Sequence, residues 1–302
     1  MIHRTLVLGT LALASLASAQ DSPPPATLTA RFHHVHLNTV DPEAAIKFYT
    51  GKFKAERQKF AGLRDAVWTG DSWILFTKVD APPPSEIISG IWHIGWGAED
   101  MKTTYQMQVD NGTKFQTPLT DISGMTGSPE NSGRFFYAYV DGPDHALIEL
   151  NTARHHNFGH VHMFSANPIA TGEWYKKHFG FPARLQAEPR TYRNVQNAPA
   201  AFLTANHVSM IVYPVEYLKT SGMPEFKGRT ELAPTRGRVV DHIGFAVDNL
   251  DVAMTQLKAV GVKVTAEPRA AGPIKFAFIE GPDQVAIELI EDKTPQPAKL
   301  PN

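Results

Sequence analysis

Four stretches of the chain set histidine into an apolar run: Phe32-His33-His34-Val35-His36-Leu37, Ile91-Trp92-His93-Ile94-Gly95-Trp96, Phe158-Gly159-His160-Val161-His162-Met163 and Val240-Asp241-His242-Ile243-Gly244-Phe245. Imidazole is the commonest protein ligand for transition metals and the side chain best placed to move a proton near neutral pH. Side chains two apart on a strand share a face, so His36 accompanies His34 and His162 accompanies His160. Two glutamates also recur in one context, Ile148-Glu149-Leu150 and Ile287-Glu288-Leu289. Two neutral imidazoles and one carboxylate on different strands of a curled sheet can occupy one face of an octahedral ion, leaving its other positions for substrate or water. A lone strand histidine more often hydrogen-bonds within its own sheet. Recurrence of all three side-chain types at matching places in both halves of the chain is what favours metal here.

These side chains need strands to carry them, and the flanking sequence supplies βαβββ units. His34 to Val40 reads as a strand, Asp41-Pro42 as a helix N-cap followed by a first-turn proline, and Ala45, Ile46, Phe48 and Tyr49 as the helix's apolar face. Three short strands follow, over 54–59, 65–69 and 73–79. After the stiff linker Ala81-Pro82-Pro83-Pro84 the order repeats, with a helix over 102–111 and closing strands over 134–140 and 146–150. An offset of 126 positions superposes His34, His36, Pro42 and Tyr49 on His160, His162, Pro168 and Tyr175. An offset of 139 superposes Gly142-Pro143-Asp144 and Glu149 on Gly281-Pro282-Asp283 and Glu288. Module three therefore copies module one, and module four copies module two. Module three also carries an insertion, Pro214 to Arg236, whose glycine, proline and charge predict a surface excursion.

Length, charge and cysteine content narrow the classes of function. The 302 residues suggest two domains of ordinary size, and the near-neutral balance of 29 basic against 30 acidic residues gives no sign of a nucleic-acid partner. Residues 1–19 read as a cleavable signal peptide: Arg4, an apolar core from Leu6 to Leu16, and Ala17-Ser18-Ala19 before Gln20. That core is too short for a bilayer of roughly 30 Å, so the mature chain is expected in the periplasm or outside the cell, with no membrane attachment after processing. With no cysteine there is no disulfide, lipid-modified cysteine, thiolate site or cysteine nucleophile. A Pro-rich spacer, 20–30, precedes the modules, and 293–302 is expected to be a disordered tail.

The histidine-led first strand, the Asp-Pro helix start and the closing Gly-Pro-Asp-x-x-x-Ile-Glu-Leu element resemble the vicinal oxygen chelate superfamily, from Phe32 to Asp292. This superfamily includes glyoxalase I, fosfomycin transferases, bleomycin-binding proteins and extradiol dioxygenases. The resemblance implies an α+β fold of four βαβββ modules paired into two half-open barrels, with sequential pairing expected to give domains 31–153 and 154–292. It also implies one or two divalent ions per chain, Fe2+, Mn2+ or Zn2+. Carried over by position, one ion would take His34, His93 and Glu149, and the other His160, His242 and Glu288. An exchanged pairing would keep every motif and mix these sets. His36 and His162 are candidate acids, bases or substrate contacts, with a hydrogen-bonded cavity-wall role equally open. Of Tyr137 and Tyr139, read as facing opposite sides of their strand, Tyr139 is the candidate catalytic donor; its counterpart is Phe278. Gly95 and Gly244 leave room over the ion or mark bends. His155 and His156 read as solvated linker residues, and Trp92, Trp96 and Trp174 as core or cavity wall.

The departures from family pattern matter for the reaction. Glyoxalase I adds a carboxylate from the last strand of the first module in each pair, where this chain has Phe76 and Ile211. The dioxygenases have a tyrosine ahead of the closing turn, where this chain has Phe278 in the usual catalytic half. The resemblance implies a metal-dependent enzyme, dioxygenase-like or glyoxalase-like, on a small substrate that chelates through vicinal oxygens. A binding protein that sequesters a small molecule without chemistry is the alternative, and a structural domain with vestigial sites is a third reading. A monomer or homodimer is expected, since two barrels per chain remove the usual need for a partner.

Overall fold

A computed structural model describes residues 28–123, 134–192, 195–220, 229 and 231–300. The leader, 1–19, and all but the end of the Pro-rich spacer lie outside the described residues. Module one is β1 (Ala30–Thr39), α1 (Pro42–Lys52), β2 (Glu56–Phe60), β3 (Arg64–Trp68) and β4 (Trp73–Lys78). Module two is β5 (Ile91–Ala98), α2 (Met101–Asp110), β6 (Phe115–Asp121), β7 (Phe136–Asp141) and β8 (Leu147–Thr152). Module three is β9 (Phe158–Ser165), α3 (Pro168–Phe179), β10 (Ala183–Gln186), a small β11 (Arg190–Tyr192) and β12 (Val195–Asn197) hairpin, β13 (Ala200–Ala205) and β14 (Val208–Pro214). A short α4 (Glu216–Thr220) leads to module four: β15 (Val240–Val247), α5 (Leu250–Ala259), β16 (Val264–Ala271), β17 (Ile274–Glu280) and β18 (Ala286–Asp292). Among the described residues no helix is long and apolar enough to cross a membrane.

Each helix begins where its sequence supplies a cap. Asp41, Asn167 and Asn249 accept from the backbone N–H three residues on, at 3.0, 3.1 and 3.0 Å, and Asp100 caps α2 in the same way. Pro42 and Pro168 open α1 and α3 as first-turn residues. Within a module the first strand runs parallel to the last, β1 with β4 and β15 with β18.

The joining of modules departs from the expected sequential pairing. One eight-stranded sheet has the order β16-β17-β18-β15-β1-β4-β3-β2 and the other β10-β13-β14-β9-β5-β8-β7-β6. Module one therefore shares a sheet with module four, and module two with module three, through antiparallel seams β1–β15 and β5–β9. The grouping into sheets 31–153 and 154–292 is corrected accordingly. Sequence neighbours still touch, through the core between the sheets. Tyr49 and Phe53 of module one stack on Trp96 of module two with centroids 5.9 and 4.4 Å apart, and Tyr175 of module three packs edge-on against Phe245 of module four.

Two connections join the sheets, 79–90 and 215–239, and residues 233–239 of the second lie beside 84–88 of the first. Val239 N donates to Pro84 O at 3.0 Å, Ala233 N to Ile88 O at 2.8 Å, and the Arg238 guanidinium to Glu86 Oε2 at 2.8 Å. Val215, Leu218 and Leu232 are buried there with Ile88 and Phe164. Where described, the insertion is thus a packed crossing rather than the expected surface excursion, because its apolar residues pack with Ile87 and Ile88 of the first connection.

The expected disordered tail is also corrected over 293–300. Two buried indoles, Trp68 and Trp73, need acceptors, and the tail supplies them. Trp68 Nε1 donates to Ala298 O and Trp73 Nε1 to Gln296 Oε1, both at 2.8 Å, while Leu300 packs beside Gly70.

Candidate functional site

The front face of each sheet gathers one group of three histidines and one glutamate. In the sheet of modules one and four these are His34, His36, His242 and Glu288; in the other sheet, His93, Glu149, His160 and His162. In each group the ligand-capable atoms lie within 4.8 Å of one another, and all eight residues are buried. The two sets carried over by sequential position are therefore not brought together. His93 and Glu149 sit apart from His34, and His160 sits apart from His242 and Glu288, because the exchanged sheets mix the sets.

Register explains each group. His34 on β1 lies opposite Gly244 on β15, whose other neighbour on β18 is Glu288. His160 on β9 lies opposite Gly95 on β5, whose other neighbour on β8 is Glu149. A Cβ on Gly95 would stand 2.0 Å from His160 Nε2, and one on Gly244 2.0 Å from His34 Cε1. The glycines therefore make room for an imidazole beside them.

Distances within the groups suit a shared cation. His242 Nε2 is 2.9 Å and His34 Nε2 3.5 Å from Glu288 Oε2. Glu149 Oε2 is 2.6 Å from His93 Nε2, 3.7 Å from His160 Nε2 and 3.6 Å from His162 Nδ1. His34 Nε2, His36 Nδ1, both ring nitrogens of His93 and His160 Nε2 are buried without a hydrogen-bond partner. Even the close His93–Glu149 pair is not aligned as a hydrogen bond. Buried nitrogen lone pairs left in this state are costly unless something accepts them, and three imidazoles with one carboxylate are a donor set that a divalent ion fits.

Protonation favours the same reading. Burial lowers His34 and His160 to about 4, and drives His36, His93 and His162 well below the ordinary histidine value. Neutral imidazole is the form that binds metal. At His242 burial opposes the charge, but its hydrogen bonds to Asp241 and Glu288 outweigh that and raise the pKa. Burial likewise works against ionised Glu288, yet its electrostatic coupling to His34 and the bond to His242 hold its pKa well below the usual carboxylate range.

Among the described residues, an outer layer of hydrogen-bonded side chains supports the first group and not the second. Asp241 Oδ1 lies 2.6 Å from His242 Nδ1, which turns Nε2 toward Glu288; Asp241 also accepts from Gly237 N at 2.7 Å and Arg236 at 2.9 Å. His33 Nδ1 is 2.8 Å from His34 Nδ1, and its Nε2 is 3.4 Å from Asp292. The matching positions at the second group are Trp92, Gly159 and Ala153. His33, Asp241 and Asp292 escaped the sequence reading, although two of them sit directly beside a ligand candidate. Around the second group stand aromatic rings instead. Trp92 and Tyr139 lie 4.5 and 5.0 Å from His93, and Tyr213 5.5 Å from His162, between centroids.

Tyr137 and Tyr139 share a face, with rings 5.1 Å apart, since residues two apart on a strand cannot oppose each other. Tyr139 belongs beside His93, and burial raises its pKa well above that of a free phenol. The place opposite the second histidine is Leu75 in module one and Ile211 in module three; Phe76 instead packs against Tyr49. No carboxylate stands there in either case. His155 is half-buried rather than solvated, its Nδ1 accepting from Asn157 N at 3.2 Å.

The first group opens into a cavity of about 430 Å³ lined by His36, His242, Glu288, Asp241, Thr77, Phe278 and others from modules one and four. His36 Nε2 reaches Thr77 Oγ1 at 2.7 Å, and its ring stacks on His242 at 4.5 Å.

Comparison with known proteins agrees with this architecture. The model of the Glyoxalase/Bleomycin resistance protein/Dioxygenase superfamily matches residues 31–150 and 157–289. Lactoylglutathione lyases of Escherichia coli O157:H7 and Shigella flexneri are each 42% identical to the chain over 62 residues, 19% of this chain and 44% of theirs. The match thus spans less than half the length of those curated relatives. Glyoxalase I from Zea mays superposes with a TM-score of 0.63 at 14% identity, covering 87% of this chain and 92% of that one. A putative dioxygenase from Bacillus subtilis subsp. subtilis str. 168 superposes at 0.57 and 11%, covering 89% and 87%. At such identities the likeness is one of fold.

Proposed function

This chain belongs to the Glyoxalase/Bleomycin resistance protein/Dioxygenase superfamily, and from that premise we propose that it is a divalent-metal-dependent enzyme acting on a small oxygen-rich substrate held through two adjacent oxygens. Its chemistry is that of a glyoxalase-like lyase or isomerase, or dioxygenase-like. The observation that carries this reading is the buried His34–His36–His242–Glu288 group at the floor of an open cavity.

His34, His242 and Glu288 hold the ion, with Asp241 and His33 fixing the two rings from behind. A divalent ion bound there supplies Lewis acidity, polarising a substrate carbonyl or stabilising negative charge that develops on a substrate oxygen. His36 is the proton carrier. Its Nε2 is engaged by Thr77, while its Nδ1 has no partner within the protein. With Nε2–H donating to Thr77 Oγ1, Nδ1 carries the lone pair and takes a proton from a carbon or oxygen of the substrate when the negative charge developing there offsets the burial that lowers its pKa. Phe278, Phe276 and Phe60 form the apolar wall that excludes water from the reacting end. The second group would hold its ion through His93, His160 and Glu149, with His162 and Tyr139 beside it. Residues 1–19 direct export to the periplasm or the exterior, which a mature N-terminus at Gln20 in native protein would support.

The test is metal content by elemental analysis on protein purified without chelating resins. It is followed by turnover of catechols, 2-oxo acids and hemithioacetals with the ion identified. Metal at one or two equivalents, falling by one in His242→Ala with loss of turnover, is the expected result. Failure to take up iron, manganese or zinc would overturn the enzyme reading and leave a small-molecule binding protein.

A further inference from the structure

Three guanidiniums line the cavity above the first group: Arg64, which opens β3, Arg269 from β16 and Arg236 from the second crossing. Each lies over an aromatic ring. Arg64 Cζ is 5.8 Å from the Phe60 centroid, Arg269 Cζ 4.7 Å from Phe276 and Arg236 Cζ 4.4 Å from Phe278. A guanidinium held over a ring by this attraction can still offer N–H groups to an oxyanion. Arg236 spends one of those groups on Asp241, at 2.9 Å. Arg64 and Arg269 make no ion pair among the described residues.

The charges around the cavity do not balance internally. Against three arginines stand the carboxylates of Asp241 and Glu288, and a divalent ion at the floor would add two further positive charges. The β2–β3 and β16–β17 turns also approach one another, since a Cβ on Gly272 would stand 3.1 Å from Leu63 Cδ2. Arg64 on β3 and Arg269 on the edge strand β16 thus approach the cavity from opposite sides of one sheet, and Phe278 lies 5.0 Å from His242 between ring centroids.

Resting on the metal reading above, we propose that the substrate of this site is an anion: a flat molecule whose vicinal oxygens meet the ion and whose separate acidic group, a carboxylate or a phosphate, is bound by Arg64 and Arg269. Arg64 and Arg269 are exposed, so an uncharged chelator would satisfy the ion and leave both guanidiniums to water alone. A chelator bearing one further acid satisfies both ends, and the phenylalanine faces accommodate the flat part between.

Calorimetric titration of the metal-loaded protein tests this with three probes: catechol, 3,4-dihydroxybenzoate and 3,4-dihydroxyphenylphosphonate as the phosphate stand-in. At least one acidic probe should bind about tenfold or more tightly than catechol, as a charge-assisted arginine contact provides, and which one identifies the acid. In the double variant Arg64→Gln, Arg269→Gln this preference should vanish while catechol affinity and metal content stay unchanged. Equal affinities in the wild type, or a preference that survives the double variant, would overturn the proposal. Metal content is measured in each sample. Metal-loaded protein that binds catechol without preferring either acid refutes this inference alone, whereas protein that takes up no metal and binds none of the probes refutes the metal reading beneath it.

Discussion

His34 and Gly244 face each other across the β1–β15 seam, and a methyl group on the glycine would stand 2.0 Å from His34 Cε1 and 2.5 Å from its Nε2. The glycine is thus the space in which the imidazole sits. Gly244→Ala must push the ring out of line with His242 and Glu288, and ligand misplacement of that kind costs at least about tenfold in metal affinity. Gly95→Ala should do the same to His160 at the second group. Metal titration of both variants is the check; wild-type affinity in Gly244→Ala would show that His34 is not a ligand.

The exchanged pairing makes a prediction about which histidines share an ion. In a chain that binds two, His34→Ala combined with His242→Ala removes ligands from one group and should leave one equivalent bound. Combining His34→Ala with His93→Ala damages both groups and should leave none. Sequential pairing demands the reverse, so elemental analysis of these two double variants decides between the arrangements.

Much of this was readable from the chain because it is local. The caps at Asp41, Asn167 and Asn249, the histidine pairs and the Gly-Pro-Asp turns each depend on a few adjacent residues, and the elements lie close to where those signals place them. Pairing was not readable from the motifs, since β1 and β9, or β5 and β15, offer alike surfaces at the seam. A weaker signal lay in the connections. A hop over one first strand to the next needs only a short link, and the single short one is 153–157, between β8 and β9. The links 79–90 and 215–239 are long enough to cross between sheets, and they do. Asp241 and His33 stayed hidden because their effect is exerted through a neighbouring ring, which spacing alone does not reveal.

Asp241 links the crossing to the first group, and its removal should be felt at one group only. Its carboxylate holds His242 Nδ1 while accepting from Gly237 N, Arg236 and Asn38 Nδ2. Asp241→Asn keeps the shape but supplies one acceptor oxygen instead of two, so His242 loses its fixed orientation. Metal affinity at that group should fall by about 10- to 100-fold. The second group has Trp92 in the matching place, and its affinity should not change. An equal loss at both groups would mean that the substitution acts through general destabilisation.

The segment 293–300 provides a prediction about stability that leaves the metal groups aside. Trp68 and Trp73 are 4% and 2% exposed, and their indole N–H groups are satisfied by Ala298 O and Gln296 Oε1. Ending the chain after Thr294 would leave two donors without acceptors in a largely apolar setting and uncover the surface beneath Leu300. Once the tail is gone water reaches both donors, so each bond counts at its net worth of about 0.5–1.5 kcal/mol, and losing the two should cost about 1–3 kcal/mol. Urea denaturation should show a lower midpoint, and tryptophan emission of the folded protein should shift to the red as the two indoles become wet. Metal stoichiometry should hold, because neither group draws a ligand from the tail. An unchanged midpoint together with unchanged emission would show that the segment is not docked on these tryptophans in solution.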